Sequence, residues 1–187
     1  MHNIGGPELT RVGVASAVRG EGRSSIATGI AAAQARDYGR SVLLIDADFD
    51  GPELAERFGL ASAPGVSEVL SGHAGVNDAL RPVSDGVTVM SSGEIGPAPA
   101  RLAAALVQSN LLDELQGEYD VVVLDLPAIR RSSSGQLLCA AIHPLVLVVR
   151  ADQTPLSEVR EAVELLDEPP VVMLNGTSSR VPRWARE

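Results

Sequence analysis

Ten residues, SAVRGEGRSS (Ser16–Ser25), carry the first cue to chemistry. They lie between an apolar run, VGVA, and a small-residue run of helical character, IATGIAAAQA. Gly20 and Gly22 let backbone N–H groups turn inward around an anion, Ser24 supplies a hydroxyl, and a helix start adds its dipole; the combination suits phosphate. The fingerprint GxxxxGK[ST] would run from Ala17 to Ser24. Two of its four fixed positions differ here, Ala17 standing for the first glycine and Arg23 for the lysine. Alone, this window is weak, because glycine-rich turns between strand and helix are common in α/β folds.

Two carboxylate groupings strengthen it. The run SVLLIDADFD ends in Asp46, Asp48 and Asp50. Alternate strand residues share a face, so Asp46 and Asp48 would point to one side if the strand continued that far. A carboxylate at a strand end beside a phosphate loop can bind Mg²⁺, directly or through water, or take a proton from a nucleophile. Asp46, directly after VLLI, is the stronger candidate, Asp48 is evenly balanced against a solvated turn, and Asp50 reads as turn chemistry. The run DVVVLDLPAI places Asp125 at the end of a second apolar strand.

The rest of the chain has to position these groups. Short aliphatic runs alternate with helical segments throughout. Strands are expected at 11–17, 41–47, 87–90, 120–126, 145–149 and 171–174. Helices are expected at 24–36, 52–58, 65–70, 99–116, 135–141 and 155–166. This alternation predicts an α/β fold, a single domain whose mostly parallel central sheet carries helices on both faces, with ligands beyond the carboxyl ends of the strands. With 187 residues, 45% hydrophobic and only 3% aromatic, the core must be aliphatic, as buried parallel strands require. Residues 1–10 read as an extension, 11–176 as the nucleotide-binding domain and 177–187 as a loose polar tail.

A net charge of −9 disfavours sequence-independent binding to nucleic acid. The single cysteine, Cys139, lies in the apolar run LLCAAI and reads as a small buried hydrophobe in a reducing compartment. His2, His73 and His143 show no metal-ligand spacing. No apolar run is long enough to cross a bilayer and MHNIGGPEL does not resemble a signal peptide, so a cytoplasmic protein is expected, without membrane insertion of its own. In the tail, Arg180, Arg183, Trp184 and Arg186 against Glu187 could touch an acidic surface but are too few to anchor.

Taken in order, strand–GEGxSS–helix, VLLIDADFDGPEL and YDVVVLDLP resemble the MinD/ParA-type P-loop ATPases, and within them the cytoplasmic domain of bacterial tyrosine kinases of capsule and exopolysaccharide synthesis. The motifs of that family read PGEGKS, LLIDADLRRP and DTPP. GVSEVLSG (65–72), GEIGPAPARL (93–102), LVLVVR and VVMLNG resemble further family segments, so the likeness spans roughly residues 10 to 176. It implies that Gly20, Glu21, Gly22, Arg23, Ser24 and Ser25 wrap the phosphates of ATP or ADP. It further implies that Ser24 ligates Mg²⁺, that Asp46 is a catalytic carboxylate at the metal with Asp48 beside it, that Asp125 holds the metal through water, and that Asn175 sits by the adenine.

Several positions depart from the family. Arg23 keeps the charge of the lysine but not its slim stem, and a planar guanidinium is poorly shaped for in-line transfer. Leu126 and Ala128 stand where the strand motif has a threonine and a second proline. Tyr38 and Tyr119 are internal, so no tyrosine cluster is available in the tail. Ring assembly through a helix preceding the first strand is not expected from the ten residues before Arg11, and Val18 stands where MinD/ParA proteins carry a signature lysine. A homo-oligomer by other contacts stays open. The resemblance implies an ATP- or ADP-binding protein, and the departure at Arg23 predicts weak or absent catalysis. It would regulate polysaccharide synthesis or export through a membrane-embedded co-polymerase or activator, which would recruit it to the inner face of the membrane. An active MgATPase or tyrosine kinase, a MinD/ParA-like positioning switch and a nucleotide-free scaffold stay open as alternatives.

Overall fold

A computed structural model describes residues 9–84, 86–130 and 132–176. The tail residues Arg180, Arg183, Trp184, Arg186 and Glu187, His2, and most of the 1–10 extension lie outside the described residues.

The aliphatic runs form one seven-stranded sheet in the order β3-β4-β2-β5-β1-β6-β7. The strands are β1 (Arg11–Ser16), β2 (Val42–Asp46), β3 (Leu80–Ser84), β4 (Val87–Met90), β5 (Val121–Ala128), β6 (Leu145–Arg150) and β7 (Val171–Asn175). All neighbours are parallel except the β3–β4 pair at one edge. The predicted fold class is therefore the one observed. β3 is missing from the expectation because Leu-Arg-Pro-Val-Ser lacks an apolar alternation; Pro82 is tolerated at an edge strand, where the register shifts between Pro82 and Ser84.

The helices are α1 (Arg23–Tyr38), α2 (Leu54–Phe58), α3 (Val66–Leu70), α4 (Val76–Ala79), α5 (Pro99–Gln108), α6 (Leu111–Glu118), α7 (Ser133–Ala141) and α8 (Leu156–Glu164). One face of the sheet packs Ala27 and Ala31 of α1 and Leu54 of α2 against Val12, Val14, Val42, Leu44, Val121 and Val123. The other packs Leu106, Leu115, Leu138 and Ala162 of α5–α8 against Leu43, Ile45, Leu124 and Leu147. The single helix expected over 99–116 is two, because Ser109 is extended (φ −81°, ψ 163°) and Asn110 starts afresh. The Ser109 hydroxyl donates to the Leu106 carbonyl and accepts from the Leu111 N–H, offering the backbone an exit from the helix. Cys139 is fully buried and burial pushes its thiol up to about 12, as a small core residue should behave.

β5 runs two residues past Leu126, through Pro127, because the partner strand bulges: the β1–β5 register shifts between Val14 and Ser16. That irregularity lies beside the loop that follows β1.

Candidate functional site

Strand alternation decides which side each carboxylate takes. Val121 and Val123 face α1, as do Val42 and Leu44, so Asp125 and Asp46 continue those rows toward the α1 side. The two are register partners on adjacent strands. β2 ends at Asp46, so the expected sharing of a strand face by Asp46 and Asp48 does not occur; the chain turns, and the Asp48 N–H donates to Asp46 Oδ1 at 3.3 Å. Asp46 Oδ2 accepts the N–H groups of Glu53 (3.1 Å) and Leu54 (2.9 Å) at the start of α2. Asp46 is thus fully buried but well bonded. Burial raises its carboxyl to about 6, opposed by the Leu54 N–H and aided by the charge of Asp48.

Asp125 is different. It is 1% exposed, and neither carboxylate oxygen has a hydrogen-bond partner of good geometry. Burial pushes it up to about 7, against the nearby Ser24 hydroxyl and the Arg23 charge. A buried carboxylate left bare is costly unless something else satisfies it.

The loop closes over these groups. Gly20 (φ 83°) and Gly22 (φ 92°) adopt left-handed backbone that other residues rarely enter, and a side chain at Gly22 would collide with the Asn175 amide. Gly22 caps α1 with no side-chain hydrogen bond and no acid occupies the first turn, so the positive end of a 16-residue helix is left for an anion. Ser24 is buried near Asp125, whereas Ser25 is exposed and accepts from Arg57 at 3.3 Å.

Arg23 does not point outward. Its Nη2 donates to Asp48 Oδ2 at 2.5 Å, with the two side chains 9% and 5% exposed, while the buried Nη1 has no partner. Burial raises the Asp48 carboxyl above its ordinary range, countered first by Arg23.

Two residues expected to contact the nucleotide also bond to the loop itself. The Glu21 carboxylate is buried and accepts from the N–H groups of Val18 (2.9 Å) and Arg150 (3.0 Å) and from the Thr154 hydroxyl (2.5 Å). Only its backbone N–H is left for a ligand. Asn175, expected beside the base, donates from Nδ2 to the Glu21 carbonyl at 2.8 Å and so also braces the loop. Asp50 is more than a turn residue: its carboxylate accepts from the Ser132 and Ser134 hydroxyls, joining the loop after β2 to the start of α7. Ser132 also caps α7, which the run Ser132–Ser134 could have signalled. Arg130 is held by Glu158 and Glu161 of α8, a link no local pattern announces.

A cleft of about 1010 Å³ opens beyond the strand ends, lined by Arg19, Phe49, Asp50, Ile95, Pro97 and Arg130 among others. A smaller one of about 320 Å³ adjoins it at Gly20, Arg150 and Gln153. Among the described residues no three His, Cys, Asp or Glu side chains converge as a metal cage. A divalent cation here would need oxygens from a phosphate ligand and water, the usual arrangement for Mg²⁺. The bare Asp125 oxygens, the buried Ser24 and the uncapped α1 terminus fit such a group.

No family model matches the chain. It is 31% identical over 160 residues to the tyrosine-protein kinase YwqD of Bacillus subtilis, covering 85% of this chain and 67% of that protein. It is 30% identical over 148 residues to EpsB of Ralstonia solanacearum, covering 79% of this chain but only 20% of that one. The chain therefore spans about two thirds of the first relative and a fifth of the second. Among solved structures, the VpsO kinase domain superposes with a TM-score of 0.82 at 27% identity, over 92% of this chain and 87% of that one. The cell division ATPase MinD of Pyrococcus furiosus gives 0.73 over 94% of this chain and 76% of that one, at 21% identity, a likeness of fold alone. No helix among the described residues is long and apolar enough to cross a membrane.

Proposed function

The chain belongs to the bacterial tyrosine kinase family, built on the fold of MinD-type P-loop ATPases, and from that premise we propose that it binds ATP or ADP with Mg²⁺ while transferring phosphoryl groups weakly or not at all. The observation that carries the reading is the buried Arg23–Asp48 pair at the foot of a loop that keeps Gly20, Gly22 and Ser24. The family's loop lysine is a free cation for β- and γ-phosphate. Here the corresponding cation is engaged with a carboxylate, and freeing it would leave Asp48 buried and unpaired.

In this reading the N–H groups of residues 20–25 hold the phosphates, Ser24 and Asp125 hold the cation, and Asp46 keeps the α2 end of the site in place. Nucleotide occupancy then biases contact with a membrane-embedded co-polymerase or activator of capsule or exopolysaccharide synthesis, which brings the protein to the inner face of the membrane.

The test is titration of the purified protein with MgADP and MgATP, read by melting temperature, alongside phosphate release. Saturation at 100 times Kd should add about 2.7 kcal/mol. Absence of any shift at millimolar nucleotide would sink the reading. A second reading, an active MgATPase or protein kinase, is supported by the Asp46–Asp125 register pair, two carboxylates side by side at adjacent strand ends. Steady phosphate release by the unmodified protein would favour it.

A further inference from the structure

We infer that Arg19, not Arg23, is the side chain that holds the terminal phosphate of a bound nucleoside triphosphate, an inference that rests on the nucleotide-binding reading. Arg23 has spent its charge on Asp48. Arg19 has not: among the described residues its recorded hydrogen bond goes to a neutral group, the Asp50 carbonyl, from Nη2 at 2.6 Å, and it forms no ion pair. A guanidinium has five donors, so most of its capacity is open.

Its position suits the role. Arg19 lines both the large cleft and the smaller one beside Gly20 and Arg150, so it stands where a ligand threaded through the loop would pass. Its charge reaches Asp48 only weakly, after that of Arg23, and no ion pair joins the two. The other cation of the cleft, Arg130, is neutralised by Glu158 and Glu161. Of the two acids lining the cleft, Asp50 already accepts two serine hydroxyls and Glu158 is paired with Arg130.

Gly51 lines the space Arg19 occupies: a Cβ there would lie in ordinary contact with Nη1 and Nη2, at 3.4 Å. The family motifs quoted above have proline at the position of Arg19 and arginines at those of Asp50 and Gly51. This chain carries the guanidinium on the opposite wall of the same gap.

The terminal phosphate distinguishes ATP from ADP, so the experiment compares them. Wild type, Arg19→Ala and Arg19→Lys are titrated calorimetrically with MgADP and with a magnesium-bound non-hydrolysable ATP analogue. The expected result is a loss of about tenfold in affinity for the triphosphate in Arg19→Ala, partial recovery in Arg19→Lys, and ADP affinity within about twofold of wild type. The retained ADP binding doubles as the control for folding. Equal losses for both nucleotides, or no loss for either, would overturn the inference while leaving nucleotide binding intact. If wild type binds neither nucleotide, the functional reading falls and the inference with it.

Discussion

Arg23 and Asp48 form a buried ion pair, Nη2 to Oδ2 at 2.5 Å, inside the loop that should receive phosphate. Removing one partner of such a pair strands the other without water. Arg23→Ala should therefore destabilise the protein by about 3 kcal/mol, and Arg23→Ala with Asp48→Ala by less than the sum of the singles. Urea unfolding of the three variants measures the coupling.

Arg23→Lys asks a different question. Lysine's compact ammonium on a flexible stem can leave Asp48 for a phosphate oxygen more readily than a two-pronged guanidinium can. Phosphate release should rise by about tenfold or more if the mis-set cation is what limits transfer, since small displacements at a reacting centre cost on the order of 10²-fold. An unchanged rate with intact ADP binding would place the limit at Leu126, Ala128 or absent partner groups.

The buried carboxylates set a pH dependence. Folding raises Asp125 from an ordinary 3.8 to about 7 and Asp46 from 3.8 to about 6. Through that window the folded protein retains protons that the unfolded chain has released. Stability without ligand should fall as pH rises from about 4 to 7, then level off. Asp125→Asn should flatten the curve and raise stability at pH 8 by on the order of 2 kcal/mol, while weakening MgADP binding. Melting curves from pH 4 to 8, with and without MgADP, show both effects.

Glu21 gives a fourth prediction, because its carboxylate accepts from Val18, Arg150 and Thr154. Glu21→Gln keeps the shape but turns donors toward donors, leaving polar groups unpaired at about 1–3 kcal/mol. Stability and ADP affinity should drop together, and Thr154→Val should reproduce part of the loss. A change in ADP affinity without any in stability would assign Glu21 a direct ligand contact instead.

Much of this was legible in the sequence because parallel strands buried on both faces leave long aliphatic runs, and their polar ends mark the site. Gly20, Gly22, Ser24, Asp46 and Asp125 are all brought to the carboxyl end of the sheet as expected. What was not legible depends on contacts far apart in the chain. The Glu21–Thr154 and Asp50–Ser134 bonds join residues more than eighty positions apart. Residue type alone could not say that Arg23 would meet Asp48, nor that Asn175 would reach back to the Glu21 carbonyl. β3 was hidden by its proline, and the break at Ser109 by a continuous apolar spacing.

Asp46 and Asp125 are neighbours in the sheet, yet they do not share their fate. Three N–H groups clamp Asp46, so its rotamer and charge position belong to the framework. Asp125 is held by none of comparable geometry. One carboxylate is built into the framework, and the other keeps both oxygens open at the floor of the site.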